Sequence, residues 1–421
     1  MPLENLEKYK EIIYLCTRCG YCRDMVRERD NSDHVCPLRE NTGGYDFYTA
    51  RGRNWIARQL LERRIAVADF SDKAIDQLFS DLLCGNCTEH CLVVKPETWD
   101  NFPNNIFSDH LINSNAITIA LRSLIVEEGR PPLKIREVLQ NFYRYSNPLG
   151  MPREKRDTFV DGLDFEPKDA TKEKCEVLFY VGSIASYYER NQRTSQAIAR
   201  ILNAANIDFG ILGAQEEDSG GDVKELGEEG LFEELAERNL ELFRKYGIKK
   251  IVCLSPHDYN TFRNYYPEVL KENWTRTGIE VQHYTEFIAG LIDNRKLKIK
   301  RNFNKKVTFH DPCNLGRINN VYDAPRKLIK AVGANLIEMQ LSHSNSYCCG
   351  GGGGNLWYEP LSKPRIQNQR AKQALSTGAE IIAVACPVCT QMLEDGIEAI
   401  EGEMRVMDIA EIVEEAMGLK P

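Results

Sequence analysis

Five cysteines near the C-terminus are spaced for metal chemistry: Cys313, the adjacent pair Cys348 and Cys349, and the pair Cys386 and Cys389. A Cys-x-x-Cys pair by itself serves zinc, redox or iron–sulfur sites. An adjacent pair discriminates better, because neighbouring thiolates ligate two metals of one cluster but seldom fit one tetrahedral zinc. The pattern therefore favours an iron–sulfur cluster over the alternative, a structural zinc site with one spare thiol.

The same layout occurs earlier in the chain, with an oxygen side chain in place of each thiol. These five positions, which we call the pseudo-site, are Ser183, Asp218, Ser219, Ser255 and Asp258. Both copies separate the first member from the second by 35 positions, from 183 to 218 and from 313 to 348. Because serine and aspartate are weak cluster ligands compared with thiolate, we expect a vacant site retained for packing. An oxygen-liganded metal at Asp218 and Asp258, or a docking surface, is the alternative.

Seven further cysteines lie in the first 100 residues, again in close-spaced groups. They are Cys16, Cys19, Cys22, Cys36, Cys84, Cys87 and Cys91. Only Cys175 and Cys253 stand apart from the groups, and we expect Cys253, inside a predicted strand, to pack as a small buried side chain. Clustering of this kind indicates metal sites rather than scattered structural thiols.

Composition narrows the classes of function. The 421 residues carry a net charge of -8, which argues against a nucleic-acid partner. No apolar run reaches the roughly 18 residues that span a bilayer, and the charged start MPLENLEKYKEII predicts no secretory signal. We expect a cytoplasmic protein that docks on a membrane only through partners. In that reducing compartment stable disulfides are rare, so metal binding best explains 14 cysteines.

The elements that position these residues change along the chain. We predict four regions: a mostly helical cysteine-rich domain at 1–100, a helical connector and surface linker at 101–173, a first repeat at 174–300 and a second repeat at 301–421. Within each repeat, short apolar runs such as KKIVCL and AEIIAVAC alternate with helical patterns, which predicts parallel sheets. Ligands of such sheets sit beyond the carboxyl ends of strands, where the C-terminal cysteines fall.

The motifs HDPCNLGR, YCCGGGGG and ACPVC resemble the cysteine-rich (CCG) domain of the heterodisulfide reductase catalytic subunit. The same domain occurs in the iron–sulfur subunits of glycolate oxidase and of anaerobic glycerol-3-phosphate dehydrogenase. The resemblance implies that Cys313, Cys348, Cys349, Cys386 and Cys389 hold a non-cubane 4Fe–4S cluster. The family's disulfide cleavage is thought to use two facing clusters, so a chain with one such cluster is expected to relay electrons instead.

The N-terminal cysteines resemble a bacterial two-cluster ferredoxin, and LLCGNCTEHC resembles the glycolate oxidase iron–sulfur protein. The resemblance implies a first 4Fe–4S cluster on Cys16, Cys19, Cys22 and Cys91. A second cluster is implied on Cys36, Cys84 and Cys87, with Asp81 at the place of its fourth cysteine. The fold expected is thus α+β, a helical two-cluster ferredoxin-like domain followed by tandem α/β CCG repeats. Two zinc sites are the alternative for this domain.

The sequence departs from the ferredoxin pattern at several places. Three alternatives stay open for the fourth iron of the second cluster. Asp81 ligates it as a carboxylate, the iron is absent and the cluster is 3Fe–4S, or His90 or His34 is the ligand instead of Asp81. The charged insertion RDMVRERDNSDHV, between Cys22 and Cys36, is expected to loop out. Cys91 is followed by leucine rather than proline.

Four other polar residues lie beside the predicted ligands. His310 and Asp311 precede Cys313, and a hydrogen bond to the cluster is favoured over proton shuttling for them. Arg317 offsets cluster charge or lies in solvent. His257 neighbours Asp258 like a proton pair, but it belongs to the pseudo-site.

We conclude from the sequence that the chain is an iron–sulfur electron-transfer subunit of an anaerobic oxidoreductase complex, with no catalytic residue of its own. It relays single electrons between a partner, expected to contain flavin, and a second acceptor. The resemblance suggests as partners a hydroxyacid dehydrogenase, an electron-transferring flavoprotein or a benzoyl-CoA reductase assembly. A disulfide or thiol reductase acting at the C-terminal cluster, and a zinc-stabilised scaffold, are the alternative functions.

Overall fold

The computed structural model describes residues 3–28, 31–101, 106–299, 302–360 and 365–419, with the backbone alone over 25–28 and 31–34. The first 101 residues are mostly helical, and short helices alternate with the loops that carry the cysteines. Helices α1 to α6 are Glu4–Glu7, Lys10–Tyr14, Pro37–Asn41, Ala50–Leu61, Asp72–Phe79 and Asn86–Glu89. The charged insertion, which was expected to loop out, forms paired antiparallel strands, β1 (Asp24–Glu28) and β2 (Asn31–His34).

Two longer helices follow, α7 (Ser114–Glu127) and α8 (Leu133–Tyr145), as the connector prediction required. The next segment, 151–172, which the sequence predicts as a surface linker, is mostly exposed or half-buried but is anchored to the first repeat. Phe159 is 1 % exposed, Arg156 forms a buried ion pair with Glu216, and Lys168–Asp169 adds an edge strand, β3, to the sheet of the first repeat. Residues 151–172 therefore contact that repeat, because the ring of Phe159 is buried and the guanidinium of Arg156 is ion-paired with Glu216.

The first repeat continues with strands β4 to β7, which are Val177–Tyr180, Phe209–Ile211, Lys250–Cys253 and Glu280–His283. Its helices α9 to α16 are Ser183–Tyr187, Glu189–Ala204, Gly221–Glu225, Glu229–Lys245, Pro256–Asn260, Tyr266–Leu270, Glu272–Thr275 and Tyr284–Asp293. The five strands are all parallel, in the order β3-β5-β4-β6-β7. The three central strands β4, β5 and β6 are almost wholly buried, as continuous apolar runs in a parallel sheet require.

The second repeat has strands β8 to β11, which are Lys306–Phe309, Asn335–Leu336, Ile381–Val384 and Arg405–Asp408. Its helices α17 to α20 are Asp323–Ala331, Ile366–Leu375, Pro387–Ala399 and Ile409–Met417. The strands are parallel in the order β9-β8-β10-β11. That order equals β5-β4-β6-β7 of the first repeat, so the predicted parallel sheets and the internal repeat are both present. Within the described ranges no helix is both long and apolar enough to cross a bilayer.

One buried arginine joins the three parts of the molecule. Arg122 of α7 is fully buried, and all five of its N–H groups are used by backbone carbonyls. The acceptors lie in the N-terminal part (Leu78, Phe79, Asp81), the first repeat (Glu225) and the second repeat (Gly353), at 2.7 to 3.1 Å. The guanidinium of Arg122 therefore links the N-terminal part, which carries the N-terminal cysteines, to both repeats, and all of its donors have acceptors.

Candidate metal centres

Five N-terminal cysteines line one cavity, and four of them are those expected at the first cluster. Cys16, Cys19 and Cys22 come from the loop after α2, and Cys91 comes from the turn that follows α6. Cys19 is exposed, so the cavity lies close to the protein surface. The structure thus brings together the four residues expected at the first cluster, and their role as ligands stays a prediction.

A second cavity gathers the remaining N-terminal candidates. Cys36 precedes helix α3, while Cys84 and Cys87 lie on either side of the start of α6. Gly85 begins that helix with φ +73, a left-handed conformation that favours glycine. Asp81 lines the same cavity. Cys87 borders both cavities, so the two groups are immediate neighbours.

The carboxylate of Asp81 is already engaged. One oxygen lies 2.6 Å from Arg53, and the other accepts a hydrogen bond from the backbone N–H of Leu83 at 2.9 Å. Both ring nitrogens of His90 are also used, by the carbonyl of Asn86 and the side chain of Asn345, each at 2.8 Å. The side chain of His34, the other alternative, lies outside the described residues.

The five C-terminal cysteines converge at the carboxyl edge of the second sheet. Cys313 opens the turn after β8, and Cys386 and Cys389 lie at the start of helix α19, directly after β10. The sulfur atoms of Cys349 and Cys389 are 3.4 Å apart, and the Cys348 side chain contacts those of Cys313 and Cys349. The loop after the adjacent pair donates the Gly350 N–H to the Cys348 sulfur at 3.4 Å. A donor set of five clustered sulfurs with such a loop fits an iron–sulfur core.

The N-terminal and C-terminal groups touch. The side chains of Cys84 and Cys348 are in hydrogen-bond contact. Arg317 secures the junction by donating to the carbonyls of Cys84 (2.7 Å), Ser344 (2.9 Å) and Ser346. Arg317 is 3 % exposed, so the alternative that it lies in solvent is wrong.

Buried positive charge surrounds this junction. Arg317 and Arg370 are both buried, and within the described ranges neither is ion-paired with a carboxylate. An uncompensated buried cation is costly, so an anionic group is expected beside them. Thiolates bound to iron supply such a charge, which makes the site electrostatically suited to a cluster.

His310 lies beside one of the expected ligands, and the hydrogen bond to a cluster that was favoured for it stays a prediction. Its imidazole contacts Cys349, and its Nδ1 accepts a hydrogen bond from Arg370 Nε at 3.0 Å. With Nδ1 accepting, the neutral ring carries its proton on Nε2. Asp311, by contrast, is held by both arms of Arg326 at 2.7 and 2.9 Å. Burial alone would raise the pKa of Asp311, but the bonds to Arg326 lower it below its ordinary value, so this carboxylate is a structural anion.

The pseudo-site repeats the sulfur contacts of the second repeat with oxygen atoms. Ser183 donates to Asp218, which matches the contact of Cys313 with Cys348. Ser219 donates to Asp258 at 2.6 Å, which matches the contact of Cys349 with Cys389. These bonds satisfy the buried hydroxyls and carboxylates within the site itself, which favours the vacant-site interpretation. Cys253 is fully buried in β6, as expected.

The carboxylates of the pseudo-site hold protons more tightly than exposed ones. Burial, with the charge of the other carboxylate, raises the pKa of Asp258 to about 8. Burial likewise raises the pKa of Asp218 to about 6, although Arg156 opposes this. Burial and the mutual repulsion of the two carboxylates thus favour the protonated form of the pair.

His257 lines the cavity of the pseudo-site, where the sequence analysis grouped it, and it also reaches the other repeat. Its imidazole is in hydrogen-bond contact with the Cys386 thiol, and its Nδ1 lies 3.1 Å from the Asn314 amide nitrogen. In return Val388 of the second repeat lines the cavity of the pseudo-site, about 420 Å³ in volume. The motifs SPHD and CPVC thus face each other across the repeats, and each covers its partner's site.

Arg53, Arg122 and Arg370 were missed by the sequence analysis. A weak signal existed for Arg53, since in ARGRNWIARQLL it lies on the buried side of helix α4 with Ile56, Ala57 and Leu60. Arg122 interrupts an apolar stretch of α7 in the same way. A charged residue on the apolar side of a helix indicates a buried partner.

A family model described as the cysteine-rich domain CCG matches the chain twice, at residues 177–263 and 307–394. The resemblance read from the cysteine motifs is therefore confirmed, and it includes the repeat that lacks the five cysteines.

Three curated relatives illustrate the similarity. The chain is 32% identical to the "Probable iron-sulfur-binding oxidoreductase FadF" of Bacillus subtilis, over 96% of the chain and 60% of the relative. It is 30% identical to the "EtfAB:quinone oxidoreductase" of Syntrophomonas wolfei, over 99% of the chain and 60% of that protein. It is 29% identical to the D subunit of a heterodisulfide reductase of Methanosarcina mazei, over 96% of the chain and 94% of that relative. The chain thus spans about three fifths of the first two relatives.

Proposed function

We propose that this chain, which carries two copies of the CCG cysteine-rich domain, is an iron–sulfur electron-transfer subunit of an oxidoreductase complex. It relays single electrons between a redox partner and a second acceptor. The named relatives, which are iron–sulfur oxidoreductases and one subunit of a heterodisulfide reductase, support this class of function.

Three groups of cysteines would hold the clusters. The first is Cys16, Cys19, Cys22 and Cys91; the second is Cys36, Cys84 and Cys87, beside Asp81; the third is Cys313, Cys348, Cys349, Cys386 and Cys389. The first two suit ferredoxin-type clusters and the third suits the non-cubane 4Fe–4S type. When bound, these groups supply reversible one-electron chemistry. The protein's own residues hold them close together, exclude water and place arginine charge around them.

The observation that carries the proposal is the contact between Cys84 and Cys348. It makes the second and third groups adjacent, and Cys87 borders both N-terminal cavities. The three groups therefore form a continuous series from the surface near Cys19 to the interior of the repeats. Such a series suits electron transfer and has no need of an organic substrate.

A flavin-containing protein is the partner that we propose, because one relative is named "EtfAB:quinone oxidoreductase" and an electron-transferring flavoprotein is among the partners expected from the sequence. That relative is longer than the part this chain matches, so the proposal extends to the class of partner and not to a particular complex. We place the chain on the cytoplasmic side, with any membrane attachment supplied by a partner.

Metal and spectroscopic analysis of anaerobically purified protein tests the proposal. We expect about 11 to 12 iron atoms per chain, acid-labile sulfide, and EPR signals from three centres upon stepwise reduction. Mutation of Cys348 to serine should abolish the third signal alone. Two zinc ions per chain without iron would instead support the scaffold alternative and refute electron transfer.

A disulfide reductase acting at the third group is the second candidate, favoured by the match to 94% of the D subunit of a heterodisulfide reductase. Against it, the pseudo-site offers oxygen atoms in hydrogen-bonded pairs where a second cluster would be needed. Steady-state assays with a reduced artificial donor and heterodisulfide separate the two. Turnover by protein with all clusters intact would favour the reductase.

A further inference from the structure

The environment of Asp81 decides how the second N-terminal cluster is held. Asp81 stands where a ferredoxin pattern has its fourth cysteine, yet its two oxygens point to other partners. One forms an ion pair with Arg53 at 2.6 Å, with both side chains buried, and the other accepts the Leu83 N–H at 2.9 Å. A carboxylate in a buried ion pair is costly to withdraw, because its removal leaves the guanidinium uncompensated.

One nitrogen of Arg53 has no hydrogen-bond partner among the described residues. Its Nη1 donates to the carbonyl of Tyr48 at 3.0 Å and its Nη2 faces Asp81, but its Nε is buried without a hydrogen-bond partner. The side chain is 2 % exposed, so water does not serve this N–H freely. A buried donor without an acceptor destabilises the fold unless a ligand supplies the acceptor.

The position of Arg53 shows which ligand would do so. The residue lines the same cavity as Cys36, Cys84 and Cys87, and its charge also acts on Cys22 of the first group. A guanidinium at the wall of a cysteine-lined cavity, with one nitrogen lacking an acceptor, suits a cluster sulfur as acceptor, and hydrogen bonds to cluster sulfurs raise the reduction potential.

We infer that the second cluster has three protein ligands, Cys36, Cys84 and Cys87, and that Asp81 holds Arg53 so that its Nε donates to a sulfur of this cluster. Asp81 and Arg53 are then positioning residues, and the fourth iron corner has no ligand from the described protein. His90 does not fill it, because both of its ring nitrogens are already bonded. This inference rests on the proposed iron–sulfur function.

A cluster corner without a protein ligand exchanges its iron. Air-exposed wild-type protein should show the EPR signal of an oxidised 3Fe–4S centre. One-electron reduction with dithionite followed by ferrous iron should convert it to 4Fe–4S, since the reduced three-iron core and one Fe²⁺ combine without a further electron. The first and third clusters, with all ligands present, should not respond to added iron.

Substitutions at position 81 separate a ligand from a positioning residue. Asp81→Asn retains an oxygen that accepts the Leu83 N–H but has no charge for iron or Arg53, and it should keep the interconversion. Asp81→Cys should supply the missing ligand and make the second cluster resistant to iron loss. If wild-type protein keeps four irons in this cluster under air and Asp81→Asn alone loses one, Asp81 is a ligand and the inference is overturned.

Arg53→Lys tests the hydrogen bond, because lysine keeps the charge but has no Nε–H in that position. We expect the midpoint potential of the second cluster to fall by an amount equivalent to roughly a tenfold change in its reduction equilibrium, about 59 mV for one electron. Arg58→Lys, on the same helix but paired with Glu62, is the matched control and should leave all potentials unchanged. An unchanged potential in Arg53→Lys would refute the bond.

Protein that holds zinc and no iron would refute the proposed function as well as this inference. Four tightly held irons in the second cluster would refute only this inference.

Discussion

His257, from the repeat without the five cysteines, is in hydrogen-bond contact with the thiol of Cys386 in the other repeat. The corresponding residue of the second repeat is Val388, which lines the pseudo-site in return. Since SPHD and CPVC occupy equivalent places after β6 and β10, the two repeats cover each other's sites by an approximate exchange. The first repeat is thus part of the environment of the C-terminal group, even though its own site is composed of serine and aspartate.

Replacement of His257 by valine, the residue at the equivalent place of the second repeat, should lower the reduction potential of the C-terminal cluster. Loss of a hydrogen bond to a ligand sulfur costs the reduced state about 1 kcal/mol, close to a fivefold change in the reduction equilibrium. An EPR-monitored redox titration measures it. His257→Gln keeps a donor and should give a smaller change. Equal potentials for wild type and His257→Val would contradict the bond.

Arg122→Met should destabilise the whole protein rather than one region. The substitution removes five donors from buried carbonyls in three parts of the chain. Each unsatisfied group costs about 1 to 3 kcal/mol, so we expect a loss of more than about 3 kcal/mol, seen as a lower unfolding temperature by circular dichroism. Arg193→Met, at an exposed position of α10, removes the same charge and is expected to change stability little. A loss confined to the N-terminal part would show that Arg122 does not join the repeats.

Gly353→Ala should displace the loop that follows the adjacent cysteines. Gly353 has φ +61, and a Cβ there would lie 2.3 Å from the carbonyl oxygen of Asp81. Gly378→Ala is the control, because its φ is +68 and nothing lies within 4 Å of an added Cβ. In both variants the left-handed conformation costs roughly 1 to 2 kcal/mol of stability. Any further loss of stability in Gly353→Ala is therefore due to the close contact of the new Cβ with the Asp81 carbonyl oxygen. Iron content and unfolding temperature measure the difference between the two variants. Equal losses in both would show that the loop does not pack closely against Asp81.

Asp258→Asn should change how stability depends on pH. The folded-state pKa of Asp258 is raised to about 8, so the folded protein binds a proton that the unfolded chain releases near pH 4. The contribution of this group to stability is present below pH 4 and is lost as the pH rises toward 8. Asparagine has no such loss and still accepts from Ser219. The stability of Asp258→Asn relative to wild type should therefore increase between pH 4 and 8 in urea denaturation, and a difference independent of pH would contradict the raised pKa.

The internal repeat could be predicted from the chain because it depends on local patterns. Apolar runs such as AEIIAVAC form buried parallel strands. The equal interval from the first to the second member of each five-residue set corresponds to the same strand order in the two repeats. Cysteines that directly follow a strand, such as Cys386, must lie at the carboxyl edge of the sheet, whatever else the chain does. In the segment at 151–172 the sequence gives no sign that Phe159 and Arg156 are buried, because their burial depends on distant partners.

By itself the sequence determined the sets of cysteines, the tandem CCG repeats and the loss of thiols from the first of them, because residue type and spacing are local properties. Only the tertiary structure decided that Asp81 pairs with Arg53, that Cys84 contacts Cys348, and that His257 reaches Cys386. Those pairs lie far apart along the chain or in different repeats, and their contacts arise when separate elements pack. A buried charge or donor must find its partner in three dimensions, and no spacing in the sequence specifies which partner that is.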